Sequence, residues 1–322
     1  MRIAVVTTSY PAFAGDPCGH FVETHVKKMA QFHDVVVIAP EDRARPLEQD
    51  ESSGSSVTVL RLAGHGAFGW PGVLSRIRSR PYRIAGAVRW TALARRALAS
   101  LSPLDRVVAH WAFPCGWPIA HDRAVPLELV SHGQDVRSLA RLPTPLRRHI
   151  VHALLGRTDA WTFVSSSLHT SLARTLDRED ARRLEAVARI EPCAIEIPDV
   201  ASAIRTERAA DSDVHLFVCV GRLVPSKRVD RVLDHVANEC AAGRAARLVV
   251  VGDGPLRPHL ERQARASGID ATFVGLTTRE VALRWIGAAD TVIHASEAEG
   301  LSTVEREARV LGVPFSSVAY RR

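Results

Sequence analysis

The sequence predicts an α/β protein made of two doubly wound parallel-sheet domains. Three observations carry that expectation. Short apolar runs rich in β-branched residues alternate with helix-length amphipathic segments, the pattern of parallel strands covered by helices. The alternation breaks once, from about Ile195 to Asp213, where Pro198, Glu207, Asp211 and Asp213 fall in a mixed stretch, and restarts at Val214. At 322 residues the chain has room for two domains of roughly 150 residues each. We expect an N-terminal domain over 1–205 and a C-terminal one over 206–322, facing each other across a cleft.

In the first half the predicted strands are Ile3 to Thr7, Val35 to Ala39, Val57 to Leu60, Val107 to Ala109, Leu127 to Val130 and Trp161 to Val164. The second half repeats the plan with Val214 to Val220, Leu248 to Val251, Thr272 to Val274 and Thr291 to His294, plus a final edge strand at about Pro314 to Val318. Helices are expected from about Val229 and after Pro258, Thr277 and Ser302. In the first of these, Val229, Val232, Leu233, Val236, Ala237 and Cys240 make one apolar stripe at helical spacing. Thr277 with Glu280, and Ser302 with Glu305, each read as a capping box, and Gly312 with Pro314 closes the last helix.

Composition excludes several classes. Apolar residues at 46% and charged residues at 24% are globular proportions, which rules out a disordered or fibrous chain. No apolar run approaches the roughly 20 residues of a membrane-spanning helix. The N-terminal apolar run turns polar at Thr7, too soon for a signal peptide, so a cytoplasmic protein is expected. Five cysteines (Cys18, Cys115, Cys193, Cys219, Cys240) with no CxxC pair fit reduced thiols.

The net charge of +7 is concentrated. Between Ser52 and Leu104 there is no acidic residue, while Arg61, Arg76, Arg78, Arg80, Arg83, Arg89, Arg95 and Arg96 all fall there. Such a stretch suits an anionic surface, either as peripheral contact with an anionic membrane or a phosphorylated acceptor, or else as a solvated arginine-rich face. The nearby aromatic residues Trp70, Tyr82 and Trp90 show no nucleic-acid-binding pattern, and no nucleic acid is expected as partner.

In open α/β sheets, ligands bind beyond the carboxyl ends of the strands, so chemistry is sought in the βα loops. Gly221-Arg222-Leu223-Val224-Pro225-Ser226-Lys227 joins a buried strand to a helix. A glycine turn, a helix N-terminus and two cations make a cradle for a diphosphate; the alternative is a pair of surface cations. Glu299 follows the strand Thr291 to His294, and Glu307 lies eight residues further on, within the helix capped by Ser302. Two carboxylates so placed suit a polyhydroxylated ligand, whereas Glu305 reads as an exposed partner of Arg309. Asp211-Ser212-Asp213 has the letters of a metal-binding D-x-D but precedes a strand, and is read as linker. Gly252-Asp253-Gly254-Pro255 lacks the third glycine of a dinucleotide fingerprint, which argues against NAD.

These motifs together, Gly221-Arg222-Leu223 with Lys227, Val250 to Pro255, Phe273-Val274-Gly275, and Glu299 to Glu307 followed by Gly312-Val313-Pro314, resemble the retaining GT-B glycosyltransferases of family four (glycosyl transferases group 1). Asp16 to Glu23, His110-Trp111-Ala112-Phe113-Pro114-Cys115-Gly116 and Ser131-His132-Gly133-Gln134-Asp135 resemble that family's N-terminal segments. The resemblance implies Arg222, Lys227 and Gly19 at the donor pyrophosphate, Glu307 at the nucleotide ribose, and Gly300, Leu301, Ser302 and Thr303 in the donor sugar and phosphate loop. It further implies His132 and Glu299 as catalytic, with His110 and Asp135 on the acceptor side.

The implied substrates are a nucleoside-diphosphate sugar and a hydroxyl acceptor (a glycan, a lipid-linked precursor or a natural product), with retained anomeric configuration and no metal or other cofactor. Members of the family usually continue beyond the Gly-Val-Pro segment, and this chain is expected to be short there. The competing expectation is therefore a catalytically silent GT-B-like partner subunit.

Overall fold

Apolar runs without polar alternation need cover on both faces of a sheet, and both halves of the chain supply it. The computed structural model describes residues 1–41, 57–121, 125–197, 213–297 and 300–318. The chain divides into two compact units: Met1–Ala14 with Cys18–Ala194, and Gly15–Pro17 with Ile195–Arg322. The sequence boundary between 205 and 206 lies outside the described residues, as do Asp211 and Ser212.

The first unit holds a seven-stranded sheet, all parallel, in the order β3-β2-β1-β4-β5-β6-β7. Its strands are β1 Arg2–Val6, β2 Asp34–Pro40, β3 Val57–Leu62, β4 Arg106–His110, β5 Leu127–Ser131, β6 Thr158–Phe163 and β7 Ala188–Ile190. The six predicted strands are present, with ends shifted by up to three residues. β7 escaped the sequence reading because it has three residues, two of them exposed, and so carries no apolar run.

The second unit holds a five-stranded parallel sheet in the order β10-β9-β8-β11-β12. These strands are β8 His215–Val220, β9 Ala246–Val251, β10 Asp270–Gly275, β11 Thr291–His294 and β12 Phe315–Ser317. β12 pairs with β11 alone among the described residues, which places it at the edge as predicted. The helix Val229–Ala241 buries Val229, Val232, Leu233 and Val236, each worth about 1.5–3 kcal/mol over exposure. They pack on one face of this sheet with Leu248, Val250 and Ile293, while Leu283, Ile286, Ala308 and Leu311 pack on the other.

The helix Thr303–Val310 is capped as predicted, Ser302 Oγ accepting from Glu305 N at 3.2 Å. It ends in a Schellman turn: Gly312, at φ +70°, follows Leu311, and Val313 N donates to Ala308 O at 2.8 Å. The helix Arg279–Ala288 corrects the sequence reading by one residue. Its cap is Thr278, whose side chain accepts from Val281 N, and not Thr277. Both are threonines, and only the chain geometry decides which one caps.

In each sheet the strand order reverses at one place, between β1 and β4 and between β8 and β11. The loops leaving those strands border the crevices where open sheets take ligands; the segments at Gly19, Trp111, Arg222 to Lys227 and Gly300 to Thr303 leave those strands and His132 leaves β5, while Gly252 to Pro255 follow β9 and Phe273 to Gly275 end β10.

Candidate functional site

In the second unit the loop after β8 is shaped by close backbone approach. Gly252, at φ +135°, lies so near the β8 turn that a Cβ there would stand 1.9 Å from Gly221 O. Leu223 N donates to Asp253 O at 2.9 Å and Leu256 N to Leu223 O at 3.1 Å, which pins the turn to the loop after β9. Arg222 is exposed on this turn. The chain then makes a single 3₁₀ turn, Pro225–Lys227, before the helix at Val229. Lys227 is partly buried there, close enough to Cys219 for its charge to act on that thiol, which burial pushes up to about 12.

The loop after β11 is tied to the same turn. Glu297 N donates to Ser226 O at 3.1 Å, and Arg228 Nη1 donates to Glu297 Oε1 at 3.0 Å. The Arg228 guanidinium also holds Asp230 Oδ2 at 2.8 Å, and its backbone sits at φ +47°, an uncommon conformation for a side chain of this size. Arg228 was absent from the sequence reading, because its partner Glu297 is 69 residues away.

Glu299 lies outside the described residues. Of the loop that follows, Gly300 is buried, and Leu301, Ser302 and Thr303 are partly buried and lead into the helix N-terminus. Glu307 is 6% exposed and its Oε1 accepts from Arg279 Nη2 at 3.1 Å and Nε at 3.3 Å. Burial pushes its carboxyl above the ordinary carboxylate value, and the Arg279 charge opposes the rise. Arg279 is a second residue that sequence reasoning missed.

In the first unit the sites meet around β1, β4 and β5. Gly19, at φ +77°, starts the helix His20–Ala30, and a Cβ there would stand 2.5 Å from Ser9 O; no other residue fits. That helix brings His25 to His110 at the end of β4, Nδ1 to Nε2 at 3.1 Å. His110 in turn meets His132 in the loop after β5, Nδ1 to Nε2 at 2.9 Å. Phe21 and Trp111 close on the His132 ring, with centroids 4.7 and 5.0 Å away.

Desolvation dominates the electrostatics of this row. It holds His110 well below the ordinary histidine value, lowers His25, and brings His132 down to about 3, so all three are neutral at pH 7. His110 is 1% exposed and Asp135 is 2% exposed. Both His110 ring nitrogens lie beside the rings of other histidines. Asp135 spends its oxygens on backbone: Oδ1 accepts from Gly133 N and Oδ2 from Ala112 N, each at 3.0 Å. It thereby fixes the two loops that carry His132 and Trp111. Trp111 sits at φ +69°, a conformation that costs of order 1–3 kcal/mol and is held by Trp111 N to Val130 O at 2.8 Å. His25 had one sequence signal: it follows Val22 by three and precedes Val26, on the edge of the helix's buried stripe.

The arginine-rich stretch divides. Arg61 donates to Tyr10 O at 3.3 Å and to Pro11 O. Arg76 donates to Gly66 O at 2.8 Å and Trp70 O at 3.0 Å. Both therefore hold backbone and are not surface charge. Arg78, Arg80, Arg89, Arg95 and Arg96 are exposed on the helices Val73–Ser79 and Arg83–Ser100 and the link between them. No cysteine pair is bridged, and among the described residues no helix is long and apolar enough to cross a membrane.

Residues 214–319, about a third of the chain, match the family model described as Glycosyl transferases group 1. The chain is similar to a GDP-mannose-dependent alpha-(1-6)-phosphatidylinositol dimannoside mannosyltransferase of Mycobacterium tuberculosis, 34% identical over 34% of this chain and 29% of that protein's length. It is similar over a longer span to a GDP-mannose-dependent alpha-mannosyltransferase of the same species, 26% identical over 98% of this chain and 78% of the relative. Among solved structures it resembles sucrose-phosphate synthase from Thermosynechococcus elongatus, TM-score 0.73, 17% identical, over 98% of this chain and 80% of that one. It also resembles Anabaena Alr3699/HepE, solved in complex with UDP, TM-score 0.67 and 17% identical over the same shares. At these identities the likeness is one of fold: two Rossmann-like α/β units of the GT-B class.

Proposed function

We propose that this chain is a glycosyltransferase that moves a sugar from a nucleoside-diphosphate sugar to a hydroxyl acceptor, retaining the anomeric configuration and needing no metal. The observation that carries the reading is the Gly221–Lys227 turn. It leaves β8 at the order reversal of the second sheet, presents Arg222 and the partly buried Lys227, and lies inside the stretch that matches the family model. Departure of a nucleoside diphosphate needs charge stabilisation at the leaving oxygens. Arg222 and Lys227 supply it, and losing one such donor costs about 10²–10³ in rate.

Glu307, held by Arg279, takes the ribose hydroxyls. The loop Gly300 to Thr303 with Glu299 takes the donor sugar and phosphate. Gly19 opens a helix N-terminus, a favourable end for anionic groups. His132 faces the acceptor hydroxyl, and the leaving phosphate takes the acceptor proton, so no side-chain base is required.

On the acceptor side, Leu74, Tyr82, Ile84 and Val88 are 42%, 67%, 57% and 66% exposed among the exposed arginines 78, 80 and 89. An apolar face edged by cations suits peripheral contact with the anionic inner leaflet of a membrane, and a lipid-linked acceptor would be met there. Sedimentation with phosphatidylserine vesicles is expected to pull the protein down at low salt and to fail after Arg78→Glu/Arg80→Glu/Arg89→Glu.

The test of the donor site is thermal unfolding with UDP, GDP, ADP and dTDP. One nucleotide at a hundred times its Kd is expected to add about 2.7 kcal/mol of stability, and Arg222→Ala and Glu307→Ala are expected to lose that gain. No stabilisation by any of the four would overturn the donor site and return the chain to the silent-subunit reading.

A further inference from the structure

Three segments of the second unit, the loops after β8 and β9 and the end of β10, are fastened to one another by backbone and side chain together. Gly252 N donates to Gly275 O at 2.9 Å, and Leu223 N to Asp253 O at 2.9 Å. Arg257, the first residue of the helix Arg257–Ala266, stands where the three join. Its Nη2 donates to Phe273 O at 3.0 Å, its Nη1 to Asp253 Oδ2 at 3.3 Å and its Nε to Glu261 Oε1 at 2.8 Å. Asp253 Oδ1 accepts from Gly254 N at 2.7 Å. The β9–β10 ladder shifts register between Phe273 and Gly275, and the guanidinium lies against that irregularity: a Cβ at Gly275, φ +86°, would stand 2.8 Å from Arg257 Nη1.

Stability does not account for this arrangement. The Arg257 and Asp253 side chains are 31% and 39% exposed, and ion pairs so exposed add little. A guanidinium adds geometry instead, because its five donors point in fixed directions within one plane. Held to Phe273 O on one side and to the Asp253 carboxylate on the other, it sets the loop after β9 at a fixed angle to the end of β10. That loop in turn fixes Leu223. Besides the Asp253 bond, Leu256 N donates to Leu223 O at 3.1 Å, and a Cβ at Gly254 would stand 2.4 Å from the same oxygen. Leu223 follows Arg222 directly, so whatever moves the loop after β9 moves Arg222.

We infer that Arg257 and Asp253 are positioning residues of the diphosphate cradle, holding Arg222 in place through Leu223 rather than acting on the ligand themselves. The ligand half of this inference rests on the donor-site reading of the Gly221–Lys227 turn; the tie between the loops does not.

The experiment compares three variants of the full chain. Arg257→Met keeps the stem and removes the fork, Arg257→Lys keeps the charge, and Arg247→Met removes the 2.8 Å Arg247–Asp270 pair at the opposite ends of the same two strands. Amide hydrogen exchange of Leu223 and Leu256 without ligand is expected to speed up several-fold in both Arg257 variants and to stay at the wild-type rate in Arg247→Met. Calorimetric titration with UDP, GDP, ADP and dTDP is expected to give, for the nucleotide that wild type binds, a Kd raised by about 10- to 100-fold in both Arg257 variants and unchanged in Arg247→Met. Urea unfolding is expected to show similar losses in Arg257→Met and Arg247→Met, so a merely structural role would move exchange and affinity alike in the two or in neither. Asp253→Asn reaches the same tie from the other side and keeps the test open if Arg257→Met fails to fold. Wild-type exchange or a wild-type Kd in Arg257→Met, rescue of either by Arg257→Lys, or an equal rise in Arg247→Met, overturns the inference. Faster exchange in the Arg257 variants with no nucleotide bound by wild type would support the tie and overturn the donor-site reading alone.

Discussion

Replacing Arg279 with methionine isolates what the Arg279–Glu307 pair does. The side chains are 15% and 8% exposed, so the pair is largely out of water. Opposite unit charges 3.1 Å apart attract by about 5 kcal/mol at an effective dielectric constant near 20. Much of that offsets the cost of desolvating both groups, and the net effect appears when one partner goes. Glu307 then keeps its burial without its compensating cation, an arrangement that costs about 3–5 kcal/mol.

The cost depends on pH, and its sign follows from the direction of the shift. The folded-state carboxyl already lies above the model-peptide value of 4.5, so the native state holds its proton more tightly than the unfolded chain. Stability from this group is greatest below that value and declines as pH rises through the folded one. Without Arg279 the folded value climbs further. Urea unfolding of wild type and Arg279→Met is expected to differ by about 3 kcal/mol or more at pH 7, and by much less near pH 4.5. Glu307→Gln in the Arg279→Met background is expected to recover most of the loss. A deficit under about 1 kcal/mol, the range of an exposed pair, or one equal at both pH values, would refute the reasoning.

Three further outcomes are expected. Gly252→Ala places a Cβ against the backbone oxygen of Gly221 at φ +135°, where no side chain can yield; the second unit is expected to lose about 2–5 kcal/mol, measured by urea denaturation. Asp135→Asn turns one acceptor oxygen into a donor facing a backbone N–H, and is expected to cost about 1.5–3 kcal/mol while broadening the His132 ring signals in NMR. Arg228→Ala releases Glu297 and Asp230; the pairs are partly exposed, so stability is expected to fall by about 1 kcal/mol or less, while donor KM rises because the loops after β8 and β11 lose their tie.

The sheets were legible because their signal is local. A strand buried on both faces must be nearly apolar throughout, and β1, β2 and β4 announce themselves that way; β7, with two exposed residues of three, does not. The stripe from Val229 to Cys240 and the Ser302 cap were legible for the same reason. In the site, the residues beside glycine turns and helix starts could be named from spacing, but their partners could not. Arg279 meets Glu307 across 28 positions and His25 meets His110 across 85, and only the packing of helices on the sheets brings them together. Charge counting misled at Arg61 and Arg76, which hold backbone carbonyls, because a count of cations does not say where their donors are spent.

The proposed reaction is sugar transfer from a nucleoside-diphosphate sugar at the Gly221–Lys227 turn. Its most direct test is ¹H NMR of the wild-type protein with UDP-, GDP-, ADP- and dTDP-sugars and a panel of hydroxyl acceptors, run beside Arg222→Ala and Lys227→Ala. One donor is expected to be consumed with release of nucleoside diphosphate, the product is expected to keep the donor's anomeric configuration, and either substitution is expected to lower the rate by about 10²–10³. An inverted product, or a rate unaffected by both substitutions, would contradict it.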